Sequence, residues 1–312
     1  MKAIILAGGF ATRLWPLTEK RAKPLLILKN KPLISHITEN IPESIEIIIS
    51  TNQIFEKDFL QWKEKNFPKR KITIFIEDSN SDKTKKGALG AVSLVIQEMQ
   101  IKDDLIIIAG DNYFGFDFKD FLKSYHQNPL LAVFDIKDLK KARQFGVVIS
   151  SDQKTITAFQ EKPLHPKSTL VSTGAYIFPQ KNLTDIIYYS QKYHDDLGGI
   201  FEYLKTKNTT INIFSFQEPW FDIGSFSGYL EAHKSLSANK NKQVTIKNTE
   251  LSGAISLASD CVLENCLLDN VIVFPKTKIK NCEIRNCIID QNCLIDGVDL
   301  SYKIIRENSF IK

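Results

Sequence analysis

The residues with the clearest chemical potential stand near the start of the chain. An apolar stretch, Lys2–Ala7, runs into Gly8-Gly9-Phe10-Ala11-Thr12-Arg13-Leu14, followed by Trp15-Pro16-Leu17-Thr18 and Lys23-Pro24-Leu25. Paired glycines directly after a strand let the backbone approach a ligand closely, and successive N–H groups there can cradle phosphate oxygens. Arg13 adds a planar fork of donors beside that cradle, and Lys23 adds a point charge. The loop lacks the G-x-x-x-x-G-K-[S/T] of a P-loop and the third glycine of a dinucleotide fingerprint. Two carboxylates come later. Asp111 follows the apolar run Leu105–Ala109, and Asp222 lies in a short apolar-flanked segment after Ile211–Phe216. Ligands of open α/β sheets bind at the carboxyl ends of strands, and a carboxylate there suits Mg²⁺, a hard cation that takes oxygen ligands. Taken alone, either aspartate reads first as a turn or N-cap residue.

These groups need a frame. Apolar runs at Lys2–Ala7, Ile45–Ser50, Ile72–Glu77, Leu105–Ala109 and Leu130–Ile136 read as strands, separated by amphipathic stretches at Leu33–Asn40, Glu56–Asn66, Ala88–Gln100 and Phe118–His126. Strands apolar nearly throughout, alternating with helices, predict βαβ units and a mixed, mostly parallel sheet covered on both faces. Gly146–Ser150, Thr155–Phe159, Thr173–Phe178 and Ile211–Phe216 extend the strand set; Leu183–Gln191, Gly199–Lys207 and a stretch ending near Leu236 extend the helices.

The chain changes character at Ser237–Gln243, a polar stretch that reads as a linker between a domain over residues 1–236 and a tail over 244–312. In the tail N-C-x-[I/L] recurs at Asn265-Cys266, Asn281-Cys282, Asn286-Cys287 and Asn292-Cys293, with offsets of 16, 5 and 6. Short-period self-similarity with one aliphatic per unit predicts a β-solenoid, with cysteine as a small apolar corner residue. All five cysteines fall between Cys261 and Cys293, with no C-x-x-C pair, against both a disulfide framework and a zinc site. The tail has no histidine to serve as an acyl-transfer base, so its expected role is oligomerisation or allosteric control.

Composition excludes other classes. The 41 Lys+Arg and 36 Asp+Glu leave +5 over 312 residues, too dilute for a nucleic-acid or membrane footprint. No run approaches the roughly 18 apolar residues of a membrane span, and MKAIILAGG is too short an apolar run for a signal peptide. The expectation is a cytoplasmic protein.

Taken together, GGFATRLWPLT and AKPLL resemble the signature of the sugar-1-phosphate nucleotidyltransferases, and the likeness extends over most of residues 1–236. KKGALGA (85–91) is similar to the family's base-contacting loop, and AGDNYF (109–114) to its metal-binding strand end. FGVV, QEKP and STGAYIF, from Phe145, Gln160 and Ser172, resemble its sugar-holding segments; WFDIGSFSGYLEA (220–232) resembles the motif with a second metal carboxylate. The resemblance implies a Rossmann-like α/β domain with a short C-terminal left-handed β-helix. It also implies a reaction in which a sugar 1-phosphate oxygen attacks the α-phosphorus of an NTP and pyrophosphate leaves. On it, Arg13 stabilises the departing pyrophosphate, Lys23 adds charge near the phosphates, and Asp111 and Asp222 hold Mg²⁺. Lys162 grips the sugar phosphate, while Gly146, Glu161 and Thr173 meet the sugar. Leu6, Gly8, Gly9, Arg13 and Gly87 contact the nucleotide.

The sequence departs from the family pattern at Ala11, where glycine is usual, and at GALGA, where GTAGA is usual. PKSTLVSTGAYIF (166–178) most resembles glucose-1-phosphate thymidylyltransferases, which implies dTTP and glucose 1-phosphate, whereas KPLL at Lys23–Leu26 is closer to the mannose and other glucose enzymes. The alternatives are a UTP- or GTP-using enzyme for glucose or mannose 1-phosphate, and a non-catalytic sugar-nucleotide-binding relative. The implied assembly is a dimer or tetramer.

Overall fold

The runs KAIIL, EIIISTN and LIIIA, buried almost throughout, form the centre of a mixed sheet in the computed structural model, which describes residues 1–78, 86–236 and 243–312. Strand β1 (Lys2–Leu6) lies between β2 (Glu46–Asn52) and β4 (Leu105–Ala109), parallel to both, and β3 (Ile72–Glu77) continues the parallel set beyond β2. Strand β8 (Leu170–Phe178) runs antiparallel to β4, to β5 (Leu130–Asp135) and to β6 (Gly146–Ile149). Strand β7 (Ala158–Glu161) pairs antiparallel with β6, and β9 (Asn212–Phe216) runs parallel to β5.

The amphipathic stretches form α1 (Leu33–Asn40), α2 (Glu56–Asn66), α3 (Ala88–Glu98), α4 (Phe118–Lys123), α5 (Leu183–Ser190) and α6 (Ile200–Thr206). Val92 and Ile96 of α3, Ile186 of α5 and Phe201 of α6 join Ile4, Ile107 and Phe178 of the sheet in one core. Each such side chain, fully buried, contributes about 1.5–3 kcal/mol.

One strand starts later than the sequence suggests. The carboxylate of Asp152 accepts the backbone N–H groups of Lys154 and Thr155 at 2.8 Å each, which holds a turn where a strand was expected. The ladder with β6 therefore begins at Ala158 and carries on to Glu161, while Thr155 makes an isolated bridge to Asn212.

The chain divides into two compact units: Met1–Gly9 with Ile34–Trp220, and Phe10–Leu33 with Phe221–Lys312. In the second unit α7 (Phe226–Ser235) packs on strands of the tail. The tail alternates between two parallel sheets. One holds β10 (Thr245–Lys247), β12 (Val262–Glu264), β14 (Lys278–Lys280), β16 (Leu294–Asp296) and β19 (Phe310–Ile311). The other holds β11 (Glu250–Leu257), β13 (Leu267–Val273), β15 (Glu283–Ile289), β17 (Leu300–Ser301) and β18 (Ile304–Ile305). Val262 pairs with Lys278 and Lys278 with Leu294, so the register advances by 16 residues per layer.

That step explains the N-C repeat. Asn265, Asn281, Asn286 and Asn292 all adopt left-handed backbone, with φ between 49° and 58°. Asparagine tolerates this conformation far better than most residues, so it turns the chain, and the cysteine after it points into the stack. All five cysteines are buried and free. Four directly precede a strand, whereas Cys287 sits inside β15. Burial pushes the thiols of Cys261, Cys282, Cys287 and Cys293 up, away from the reactive thiolate.

Candidate functional site

In the first unit, the expected residues collect at the ends of strands. Leu6 pairs with Ala109, and the carbonyl of Leu6 accepts the N–H of Gly110 at 2.9 Å, which fixes how the chain leaves β1 and β4. The two glycines after β1 have different reasons. A Cβ on Gly8 would stand 2.7 Å from Oε1 of Glu77, whereas a Cβ on Gly9 would meet nothing among the described residues within 4 Å. Gly8 is thus required by its own neighbours, and Gly9 is the open member. Asn52 donates Nδ2–H to the Gly8 carbonyl at 3.1 Å, and Ser50 Oγ donates to Glu77 at 2.9 Å. Burial raises the Glu77 carboxyl above its usual range, against the Ser50 hydrogen bond and the charge of Lys86.

Gly87 begins α3 with φ 75°, and a Cβ there would lie 2.5 Å from the His194 carbonyl oxygen. The same carbonyl accepts the N–H of Gly90 at 2.8 Å, and Asp195 Oδ1 accepts that of Ala88 at 3.2 Å. Residues 194 and 195 therefore hold the start of α3. Lys85, the first residue of KKGALGA, lies outside the described residues, as does the expected linker apart from Gln243.

Asp111 stands just past β4. Its Oδ1 accepts Nδ2–H of Asn112 at 2.8 Å, and Asn112 Oδ1 accepts Nε1–H of buried Trp220 at 2.9 Å. This relay orients the carboxylate. Trp220 packs on Phe134 and Phe145, which gives the tryptophan a structural role. A register shift in β8 between Ser172 and Tyr176 places Gly174, at φ 82°, against the same strand end; its Cβ would be 2.8 Å from that of Ala109. The Thr173 hydroxyl is buried and donates to the Ala132 carbonyl at 2.9 Å.

Gly146, Glu161 and Lys162 come together directly. Gly146 is the register partner of Glu161, and Lys162 Nζ lies 3.2 Å from Glu161 Oε1. The Lys162 side chain is 66% exposed and its backbone is left-handed at φ 41°, a sparsely populated conformation that non-glycine residues keep where the surroundings dictate it. A Cβ on Gly198 would lie 2.4 Å from Glu161 Oε2, so this glycine, too, makes room for the carboxylate. Burial raises the Glu161 carboxyl, Lys162 opposes that, and Asp196 adds to it. The segment His194–Gly199 thus touches both Gly87 and Glu161, and sequence reasoning missed it. Its signal was Gly198-Gly199, a glycine pair that marks close approach.

The second unit carries Arg13, Lys23 and Asp222. Arg13 is exposed in a short 3₁₀ turn, Thr12–Leu14, entered through Ala11 at φ 48°. The usual glycine would accept that angle freely; alanine holds it at a cost, with its carbonyl accepting Thr18 Oγ1–H at 2.8 Å. Lys23 is buried at the start of a second 3₁₀ turn, Lys23–Leu25. Next comes a tight hairpin with Lys29 and Asn30 at φ 51° and 69°. Its Ile27 carbonyl accepts Tyr229 Oη–H at 2.5 Å and meets His233 Nε2 at 3.1 Å, both from α7. Burial drops the His233 imidazole to about 4, against the Ile27 hydrogen bond. Asp222 does not cap α7, because Ser225 does, accepting the Gly228 N–H at 3.1 Å. A Cβ on Gly224 would lie 2.9 Å from both Asp222 carboxylate oxygens, so glycine leaves that carboxylate its space.

Among the described residues, no group of three or more His, Cys, Asp or Glu could hold a metal by itself. The Asp111 carboxylate, oriented by Asn112 just past β4, is a hard oxygen donor of the kind Mg²⁺ takes. No helix among the described residues is long and apolar enough to cross a membrane.

An α/β sheet with glycine-lined strand ends, one oriented aspartate and a Glu-Lys pair defines a ligand-binding domain of the nucleotide-handling kind. The chain belongs to the nucleotidyl transferase family, whose model matches residues 2–239. A Methanocaldococcus jannaschii protein named bifunctional protein GlmU is 32% identical over 256 residues, covering 80% of this chain and 58% of its own length. A Synechocystis UTP–glucose-1-phosphate uridylyltransferase is 27% identical over 263 residues, covering 80% of this chain and 67% of its own. Among solved structures, a Bacillus anthracis protein assigned as a glucose-1-phosphate thymidylyltransferase, in complex with sucrose, superposes with a TM-score of 0.65 at 24% identity. It covers 78% of this chain and 98% of that one, a likeness of fold.

Proposed function

We propose that the chain is an Mg²⁺-dependent sugar-1-phosphate nucleotidyltransferase that moves a nucleoside monophosphate from an NTP to a sugar 1-phosphate and releases pyrophosphate. Its substrates on this reading are dTTP and glucose 1-phosphate, with UTP or GTP and mannose 1-phosphate the alternatives. The observation that carries the reading is the Glu161–Lys162 pair. A strand ends by presenting one acceptor and one cation 3.2 Å apart, with glycines 146 and 198 clearing the space around the carboxylate. An acceptor for hydroxyls beside a cation for a phosphate is what a sugar phosphate needs.

The remaining roles follow from charge. Phosphoryl-type transfer asks a protein chiefly to position the reactants and to neutralise developing charge. Lys162 holds the sugar phosphate, Glu161 and Gly146 orient the sugar, and Thr173 contributes through its backbone, since its hydroxyl is engaged. Leu6, Gly8, Gly9 and Gly87 meet the nucleotide; Arg13 and Lys23 offset the charge of the phosphates and of the leaving pyrophosphate. Asp111 and Asp222 would hold Mg²⁺, which when bound neutralises phosphate charge. The tail over 244–312 is read as a left-handed β-helix serving assembly into a dimer or tetramer or allosteric control, and the enzyme is read as cytoplasmic. A matrix of four NTPs and dTTP against glucose, mannose and N-acetylglucosamine 1-phosphates, scored by pyrophosphate, tests the reading. One pair should dominate and chelation of Mg²⁺ should abolish it; no turnover with any pair would overturn the enzyme reading.

A further inference from the structure

Three consecutive residues in the segment between Arg13 and Lys23 are each paired with the far end of the chain. Glu19 is paired with Arg306, Lys20 Nζ lies 3.3 Å from Glu307 Oε1, and both Arg21 Nη atoms lie 3.4 Å from Asp290 Oδ1. The signs run minus, plus, plus against plus, minus, minus, so each of the three pairs unlike charges. The rungs differ in environment. The first two are exposed in at least one partner, where ion pairs contribute little. The third is not: the Asp290 side chain is 4% exposed and the Arg21 side chain 23%. Asp290 is also built in. Its Oδ1 accepts the Gln291 N–H at 2.8 Å, its carbonyl accepts Thr277 Oγ1–H at 2.9 Å, and its N–H is donated to the Ile305 carbonyl. The Arg21 guanidinium lies 5.3 Å from the centre of the Phe274 ring.

We infer that Arg21 and Asp290 are positioning residues for the reaction, with the tail acting as an anchor that sets the backbone from Arg21 through Lys23. Only Ala22, fully buried, separates Arg21 from Lys23, and the turn Lys23–Leu25 begins there. Fixing the Arg21 side chain therefore fixes where the turn starts and where the Lys23 chain leaves the backbone. A buried, hydrogen-bonded carboxylate is a stiff reference point, and loss of either partner leaves the other charge unpaired. The tail on this view contributes to turnover within one chain, whatever assembly it also serves. The inference rests on the proposed role of Lys23 in phosphate binding.

The test compares wild type with Asp290→Asn and Arg21→Gln in the full chain. The expected result is a roughly tenfold or greater fall in kcat for pyrophosphate formation, with the sugar 1-phosphate KM within about twofold. Faster hydrogen exchange should be confined to the amides of Leu25 and Leu26, which bond to the Ala22 and Lys23 carbonyls. The double variant should be no worse than either single one. Unchanged kcat and unchanged exchange in folded variants would overturn the inference, as would a kcat loss that tracks loss of folded protein by circular dichroism. Exchange does not depend on turnover, so a wild type inactive with every substrate pair would sink the functional reading while the anchor stays testable.

Discussion

The Glu161 neighbourhood and the Phe10–Leu33 segment both carry residues suited to phosphate chemistry, yet they are held by different forces. Around Glu161, position is set by sheet register and by hydrogen where any other residue would bring a methyl group: Gly146 and Gly198 both abut the carboxylate. Along Phe10–Leu33, position is set by polar bonds to distant elements, namely Tyr229 and His233 on Ile27 and the three ion pairs of residues 19–21. The first region should fail when volume is added. The second should fail when charge is changed.

The largest effect should come from volume. Gly198→Ala puts a Cβ 2.4 Å from Glu161 Oε2, so the carboxylate must swing away; misplacement on that scale should cost about 100-fold in kcat/KM for the sugar 1-phosphate. Gly9→Ala is the contrast, since its Cβ meets no atom of the described residues within 4 Å. Its melting temperature should stay unchanged while NTP KM rises, and equal destabilisation of both variants would erase the distinction.

Charge gives the next effect. The His233 imidazole titrates near 4 in the folded chain against 6.5 unfolded. Because the folded value is lowered, stability is full above 6.5 and declines as pH falls toward 4. The loss should be about 2 kcal/mol at pH 5 and about 3 kcal/mol below pH 4. Denaturant unfolding of wild type and His233→Gln at pH 7 and pH 5 isolates it: the variant should lose less on acidification, and parallel losses would remove His233 from the account.

Glu161 bridges the two cases, because packing has raised its carboxyl above the ordinary 4.5. Acidification should weaken sugar 1-phosphate binding, read as rising KM, at a higher pH than an ordinary carboxylate would require. In Glu161→Gln the KM should be high and flat with pH. The smallest effect belongs to Ala11. Glycine at φ 48° removes a left-handed strain of about 1 kcal/mol, so Ala11→Gly should raise stability by that amount in denaturant unfolding.

Much of the framework was legible in sequence because one force dominates it. Continuous apolar runs announced β1, β3 and β4, and α1 and α2 occupy the residues that periodicity assigned. The strand expected from Thr155 moved because a single side chain, Asp152, captured two backbone donors. Individual site residues were visible as motif members, but their supports were not. Glu77 beneath Gly8, Trp220 behind Asn112, and His194–Gly199 between Gly87 and Glu161 are contacts across long sequence separations, which no local pattern encodes. The departure at Ala11 was readable, and the left-handed angle there is what makes it matter.

The ion pairs of Glu19, Lys20 and Arg21 also bear on the order in which the molecule is completed. Their partners lie 287, 287 and 269 residues later in the chain. At roughly 5–20 residues per second of synthesis, the segment with Arg13 and Lys23 waits about 15–60 seconds for its anchors. Through that interval the sheet around β1 can already assemble from residues made earlier. The last strands to emerge are then the ones that fix one of the first segments made.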